Sequence, residues 1–381
     1  MDTVARSMIS RLREVATTQF KRGFVALEAR GRYRALRAAS VLLRPVLGER
    51  APLRGFEVDV GAYARRTGAT FVASSSPGLG VAVLPRGRVL FDYGVVVTAE
   101  RMLLADVSPQ LGLPPNAHVV LLEPQLPPMT RFNGRLAVLS STAHQRYYHW
   151  MFDVLPRLDL LQEVGVAVDA YLINTEIDYQ QETVQRLSIA PVVSPTNQTH
   201  IEADELVVPT LPEAIGNPSL HACNFLRRSL LPPTPPEAGR RRLYLTRRDA
   251  ITRRVQNEEE VFAALSGLGF ELVELQGMSV AEQALLFASA EMVVGPHGGG
   301  MTNIVFSPSR SGLLEFFTAV DFMDCFEIIA GHREMYYRRL DCPSVSRKTH
   351  DLRVDVPDMV EAVRLMLSQL AGDDRAGMRQ T

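Results

Sequence analysis

Lysine is nearly absent from this chain. Only Lys21 and Lys348 occur, so 39 of the 41 basic residues are arginine. A Walker A loop needs Gly-Lys-Ser/Thr, and neither lysine stands in one. The protein-kinase motif set fails for the same want of a lysine. Cysteine is scarce too. Cys223, Cys325 and Cys342 are far apart, and no Cys-x-x-Cys pair occurs. Their odd number and spacing argue against a disulfide framework and a zinc site, and a reducing compartment is expected. No run of about 18 apolar residues is present, so no membrane-spanning helix is expected. The N-terminus shows neither the apolar core nor the small-residue cleavage site of a signal peptide, and a cytoplasmic location is expected. There is no Gly-x-Gly-x-x-Gly, which leaves a classical dinucleotide site unsupported. No Asp-x-Asp pair is available to hold a divalent metal on a nucleotide diphosphate. Glu57-Val-Asp59 comes nearest, but it alternates like a strand. No nucleic-acid reader motif occurs.

What is present is an ordinary globular composition. The 381 residues are 46% hydrophobic and 22% charged, which excludes a disordered or fibrous chain. At roughly 100–200 residues per domain, this length predicts two domains. The net charge of −1 hides an asymmetry, because residues 1–50 carry 11 basic and 4 acidic residues. Val4, Met8, Leu12 and Val15 recur at helical spacing, with Arg6, Arg11 and Arg13 between them. Residues 3–45 therefore read as a basic amphipathic helical segment. It would meet an anionic membrane surface, the protein body or a partner in a homodimer.

From about residue 56 the chain becomes β-rich. Strands are expected at Val89–Val97, Ala117–Leu122, Leu136–Leu139, Tyr171–Asn174 and Leu206–Val208, with helices at Tyr147–Val164 and Gln181–Leu187. Four prolines in residues 231–239 predict an extended linker. Beyond it, strands and helices alternate regularly from Leu243 to Leu340, which predicts a parallel sheet covered by helices. Asn257 with Glu260, and Ser279 with Glu282, have capping-box spacing. The expected organisation is a basic segment over 1–50, an N-terminal α/β domain over 51–232 and a C-terminal Rossmann-like domain over 233–355. A C-terminal helix over 356–372 and a flexible tail over 373–381 complete it.

Three segments carry groups suited to chemistry. The first strand of the second half is followed by Thr246-Arg247-Arg248-Asp249-Ala250-Ile251-Thr252-Arg253-Arg254. Arginine's fork of donors suits phosphate oxygens, and a helix start lies just beyond. The same arginines could instead pair with Glu258 to Glu260. The third strand leads into His297-Gly298-Gly299-Gly300-Met301-Thr302-Asn303. Glycines let a backbone approach a phosphate closely, although a plain turn would also use them. The segment resembles the oxyanion-hole motif of lipases as well, but no Gly-x-Ser-x-Gly elbow accompanies it. In the first half, His149 and Asp153 stand four residues apart, so they share a helix face. A carboxylate beside an imidazole suits general-base work, while Arg157 could merely pair with Asp153.

In order and spacing, these segments resemble glycosyltransferase family 61, known also from bacterial capsular polysaccharide biosynthesis proteins. The resembling residues are Tyr148-His149-Trp150-Met151-Phe152-Asp153-Val154-Leu155-Pro156-Arg157-Leu158, Tyr244–Ala250, Arg253–Glu258, Glu282-Gln283, His297–Asn303 and Glu315-Phe316, within residues 85–345. The resemblance implies a GT-B-like α/β fold, with two Rossmann-like domains facing a cleft. It implies an inverting, metal-independent transfer from a nucleotide (UDP-type) sugar to a glycan or lipid-linked glycan, with no cofactor. It makes Asp153 the first candidate for the base, with His149 as partner or rival. Arg247, Arg253, Arg254, His297, Gly298, Gly299, Gly300, Asn303 and Glu315 would bind the donor. Asn257, Glu258 and Arg157 would support them. Family members usually show alanine where Gly299 stands. Eukaryotic members carry a secretory signal or anchor, so the expectation here is a bacterial-type enzyme, cytoplasmic and peripheral to the inner face of the membrane through residues 3–45. Alternatives are a non-catalytic nucleotide-binding scaffold of a polysaccharide assembly complex and another polysaccharide-modifying transferase, such as a pyruvyl-type enzyme.

Overall fold

A computed structural model describes residues 53–123, 125–233, 241–318 and 323–377. The expected basic helix over 3–45 and most of the proline linker lie outside the described residues. The chain divides into two compact units. One takes in the described residues up to His144, with Leu160–Asn174 and Ala190–Leu211. The other takes in Gln145–Asp159, Thr175–Ile189 and the chain from Pro212 onward. The units therefore interleave in sequence, where contiguous domains over 51–232 and 233–355 were expected.

The first unit is built on one mixed sheet. Its elements are β1 (Gly55–Glu57), α1 (Val60–Thr67), β2 (Thr70–Ala73), β3 (Gly80–Pro85), β4 (Arg88–Leu90), β5 (Val95–Val97), β6 (Met102–Leu104), β7 (Thr130–Val138), β8 (Ala170–Leu172), β9 (Val192–Val193) and β10 (His200–Pro209). The main order is β1-β6-β5-β4-β10-β7-β8-β9, and β3 with β2 pairs off β10. One half, β10-β7-β8-β9, is parallel, while β4 and β3 run antiparallel to β10. The single strand expected over 89–97 is a hairpin instead, because Phe91 to Gly94 turn and β4 pairs with β5. Residues 117–122 form short 3-10 turns rather than a strand. Pro115 opens the first turn, and His118 Nδ1 accepts from the Val120 N–H at the start of the second. Val89, Val96, Leu136, Val138, Leu172, Leu206 and Val208 form much of the core of this unit.

The second unit follows the expected alternation closely. It contains α2 (Tyr147–His149), a π-helical turn (Trp150–Val154) and the start of α3 (Pro156–Val164). After these come α4 (Asp178–Arg186), α5 (Leu220–Leu230), β11 (Arg241–Leu245), α6 (Glu258–Ser266), β12 (Phe270–Val273), α7 (Val280–Ala288), β13 (Ala290–Pro296), β14 (Gly312–Thr318), α8 (Cys325–His332), β15 (Tyr336–Cys342) and α9 (Val356–Gly377). All five strands are parallel, in the order β12-β11-β13-β14-β15. Their side chains are apolar over long stretches because helices cover both faces. Met359, Val363, Met366 and Leu370 of α9 pack on Met292, Val294, Leu314 and Phe316 of the sheet. Each such residue, fully buried, contributes about 1.5–3 kcal/mol. Helix α9 continues to Gly377, through part of the tail expected to be flexible. The capping box at Ser279 forms with both of its hydrogen bonds. The one expected at Asn257 does not, because that side chain is engaged elsewhere.

Candidate active site

The segment from Gln145 to Asp159 belongs to the same unit as the parallel sheet. Its long helix is not regular. The Leu155 N–H donates to the Trp150 carbonyl at 3.1 Å, a bond across five residues. Pro156 has no N–H, and in a regular α-helix its ring would press on the carbonyl of Phe152; a wider turn relieves that clash. Trp150 is fully buried and donates to Thr183 Oγ1 at 2.9 Å, so it is a core residue.

His149 and Asp153 meet across this turn. His149 Nδ1 lies 2.6 Å from Asp153 Oδ2. The other carboxylate oxygen, Oδ1, accepts from the Gly216 N–H at 3.3 Å. Gly216 is thus a site residue that the motifs did not mark. Its φ of 87° is the left-handed conformation that glycine tolerates best. A Cβ there would also touch His149 Cε1 at 3.6 Å. Tyr148 fastens the same residue from the other side, donating from its hydroxyl to the Gly216 carbonyl at 2.9 Å. Asp153 is 1% exposed and His149 7%, so the imidazole is the member of the pair nearer solvent. Arg157 is fully buried. Burial pushes its guanidinium down to about 10, opposed by the charge of Asp153 within electrostatic reach.

The glycine loop follows β13. His297 Nδ1 lies 2.5 Å from Glu315 Oε1, and Glu315 Oε2 accepts from the Tyr337 hydroxyl at 2.9 Å. Glu315 is buried within β14 and fixes the histidine ring. Here is a second histidine–carboxylate pair. A chain of aromatic rings runs from one pair to the other: Tyr148 beside His149, then Phe326 at 6.0 Å from Tyr148 and 4.9 Å from His297. Arg247 lies directly on Gly298, where a Cβ would stand 1.9 Å from Arg247 Nη1. Its Nη2 also donates to the Thr252 carbonyl at 3.2 Å. At Gly299 a Cβ would meet nothing within 4 Å. Asn303 is a fully buried junction. Its Oδ1 accepts from the Tyr147 hydroxyl at 2.8 Å, and its Nδ2 donates to Gln283 Oε1 at 2.7 Å and to the Gly300 carbonyl at 3.3 Å. With those groups committed, Asn303 braces the loop.

Three of the remaining sequence candidates are held by partners of their own. Arg254 donates from its N–H and its guanidinium to Asp351, at 2.9 and 3.3 Å. Asn257 bonds both backbone groups of Val354, at 2.9 and 3.0 Å. Glu258 is bonded by Arg248 and by the Tyr244 hydroxyl, so it orients Arg248 rather than Arg247. Arg253 sits at a left-handed turn, φ 58°, with its N–H on the Thr349 carbonyl. Among the described residues, no three histidine, cysteine or acidic side chains gather as metal ligands would.

One unit therefore unites His149, Asp153, Arg247, His297, Gly298 to Gly300 and Glu315, drawn from four separate stretches of sequence. Residues 147–314 match glycosyltransferase family 61. The match begins at the Tyr147 that bonds Asn303 and ends one residue before Glu315. It is shorter than the 85–345 over which the sequence resembles the family. A curated relative from Drosophila melanogaster, EGF domain-specific O-linked N-acetylglucosamine transferase, is 25% identical over 179 residues. The alignment covers 42% of this chain and 34% of the relative, so the match spans about a third of the relative's length. No helix among the described residues is long and apolar enough to cross a membrane.

Proposed function

We propose that the protein is an inverting, metal-independent glycosyltransferase that uses a nucleotide-activated sugar, with a UDP-type donor first in line. One observation carries the proposal. The His149–Asp153 pair and the His297–glycine loop, nearly 150 residues apart in sequence, are locked together by the Tyr147–Asn303 hydrogen bond. The family-61 match over the same residues supports it. A GT-B-like arrangement belongs to the proposal, supported by the presence of two sheets, one wholly parallel. So do a glycan or lipid-linked glycan acceptor of surface polysaccharide assembly and a cytoplasmic setting at the membrane face, supported by the resemblance alone. The Drosophila relative's name gives N-acetylglucosamine as its sugar, so UDP-N-acetylglucosamine is the first donor to assay.

The geometry favours His149, rather than Asp153, as the base. Both oxygens of Asp153 are occupied, and the residue is the more deeply buried of the two. Asp153 accepts the Nδ1–H of His149, which leaves the Nε2 lone pair for the acceptor hydroxyl. As the acceptor oxygen bonds to the anomeric carbon, its proton passes to His149 Nε2. The bond from that carbon to the phosphate breaks, and its electron pair leaves on the nucleotide diphosphate. Arg247 and the backbone N–H groups around Gly298 to Gly300 balance the departing charge. Glu315 holds the His297 ring through Nδ1, which leaves Nε2 for a phosphate oxygen.

The test is nucleotide release from a panel of nucleotide sugars by the full chain. His149→Ala is expected to lower kcat by about 10²–10⁴, with UDP affinity unchanged. Asp153→Asn is expected to reduce kcat less than His149→Ala, because it misorients the base without removing it. Undiminished turnover in His149→Ala would remove it from that role.

A further inference from the structure

Alternation along β14 turns Leu314 and Phe316 toward α9 and puts Leu313, Glu315 and Phe317 on the opposite face. The parallel register sets Leu313 beside Tyr337 and Glu315 beside Arg339, so the edge strand β15 presents Tyr337 and Arg339 on that same face. A carboxylate as deeply buried as Glu315 is costly unless donors reach it. Two do. Tyr337 donates its hydroxyl to Oε2 at 2.9 Å, and His297 Nδ1 lies 2.5 Å from Oε1. As a carboxylate, Glu315 can only accept, so Nδ1 carries a proton. Burial first, and then the charge of Glu315, hold the Tyr337 phenol above its ordinary range, so its hydroxyl stays a donor at neutral pH. Carbon seats the His297 ring as well. Phe317 meets it edge-on at 5.4 Å, and the Arg339 guanidinium lies 3.8 Å over the Phe317 ring. Tyr337 and Arg339 both stand beyond residues 147–314, the segment that matches family 61.

We infer that Tyr337 is a positioning residue, which acts through Glu315 to fix the His297 ring with Nε2 toward a phosphate oxygen of the donor. The inference rests on the transferase function proposed above and extends its site to the edge strand of the parallel sheet. The bond at Nδ1 is what sets the orientation of an imidazole. A glutamate side chain has three torsions of its own, and one hydrogen bond leaves its carboxylate free to turn. The Tyr337 hydroxyl holds the second oxygen and so sets the plane of the carboxylate. Without it Glu315 turns, the His297 ring follows, and Nε2 loses its aim. Because the hydroxyl is spent on Glu315, its effect on a phosphate passes through the imidazole.

Calorimetric titration of the full chain with inorganic pyrophosphate, UDP and uridine tests this in a double-mutant cycle. Tyr337→Phe keeps the aromatic ring and removes only the hydroxyl, and a thermal melt of each variant checks the fold. It is expected to weaken pyrophosphate and UDP by about twofold to tenfold, the scale of one lost hydrogen bond, and to leave uridine unchanged. His297→Asn keeps a donor near the Nδ1 position and removes Nε2, so it also weakens both phosphate ligands. In the His297→Asn background, Tyr337→Phe is expected to cost nothing further, because the group it positions is gone. A further loss as large as in the wild-type background overturns the inference, as does an equal loss for uridine, since either marks a purely structural role. Should His297→Asn bind both phosphate ligands as the wild type does, His297 holds no phosphate and the role of Tyr337 falls with it. A wild-type chain that binds neither UDP nor pyrophosphate overturns the transferase function itself. If the wild type binds both and Tyr337→Phe binds them equally well, only the role of Tyr337 fails.

Discussion

At the scale of single residues, the glycine loop separates positions that look alike. Gly298 and Gly299 are neighbours, yet an added methyl group meets different surroundings at each. At 298 it would displace the Arg247 guanidinium, 1.9 Å away, while at 299 it meets open space. Gly298→Ala is therefore expected to weaken UDP binding about tenfold or more, the scale of one lost charge-assisted hydrogen bond, while the melting temperature stays close to that of the wild type. Gly299→Ala, the residue more usual in the family, should bind UDP within about twofold of wild type, well under the 1.4 kcal/mol that a tenfold change represents. Equal effects of the two substitutions, measured by calorimetry, would show that Arg247 does not depend on the bare backbone of Gly298. Asp153 shows the same dependence on setting. The motif resemblance makes it the first candidate for the base, and the structure puts the Gly216 N–H on the oxygen that His149 leaves over.

Among the elements, the start of α6 shows how a motif residue can serve the fold instead of the reaction. Asn257 caps no helix with its side chain. It spans to the backbone of Val354, just before α9, and so ties the first helix of the parallel sheet to the last. Asn257→Ala would leave the Val354 N–H and carbonyl without those partners in a buried place, at a cost of about 1–3 kcal/mol. A lower melting temperature with unaltered UDP affinity is the expected result, and loss of affinity without loss of stability would return Asn257 to its expected role in support of the donor-binding residues. The π-helical turn at Trp150–Val154 belongs to this scale too. Spacing alone places His149 and Asp153 on one face, but the widened turn next to Pro156 sets how they meet.

Across the whole molecule, the interleaving of the two units matters most. Gln145–Asp159 and Thr175–Ile189 leave the sequence of the first unit and complete the second. Glu182 of α4 accepts from the Val280 and Ala281 N–H groups at 2.7 and 2.9 Å, capping the start of α7. A fragment starting at residue 233 lacks that cap, both members of the His149–Asp153 pair and the Tyr147 brace on Asn303. It is expected to melt without a cooperative transition and to bind no UDP. A fragment that folds cooperatively and binds UDP would restore the contiguous boundary near the proline-rich stretch.

The parallel sheet was legible from the sequence because alternating apolar runs and helix starts repeat locally from Leu243 to Leu340. The mixed sheet was less so. Its hairpin at Phe91–Gly94 and the 3-10 turns after Pro115 depend on turn geometry inside apolar runs, where β-patterning misleads. The order of chemical groups along the chain determined by itself that a histidine–carboxylate spacing, an arginine loop and a glycine loop coexist, and local patterning determined most helices of the second unit. Only the tertiary structure decided which of these groups meet. Arg247 reaches Gly298, while Arg254 turns to Asp351 and Glu258 to Arg248. Gly216, Tyr147 and Tyr337 join the site through hydrogen bonds that no periodicity records. The reason is physical: periodicity reports burial and local backbone geometry, whereas the partner of a polar side chain depends on contacts between residues far apart in sequence.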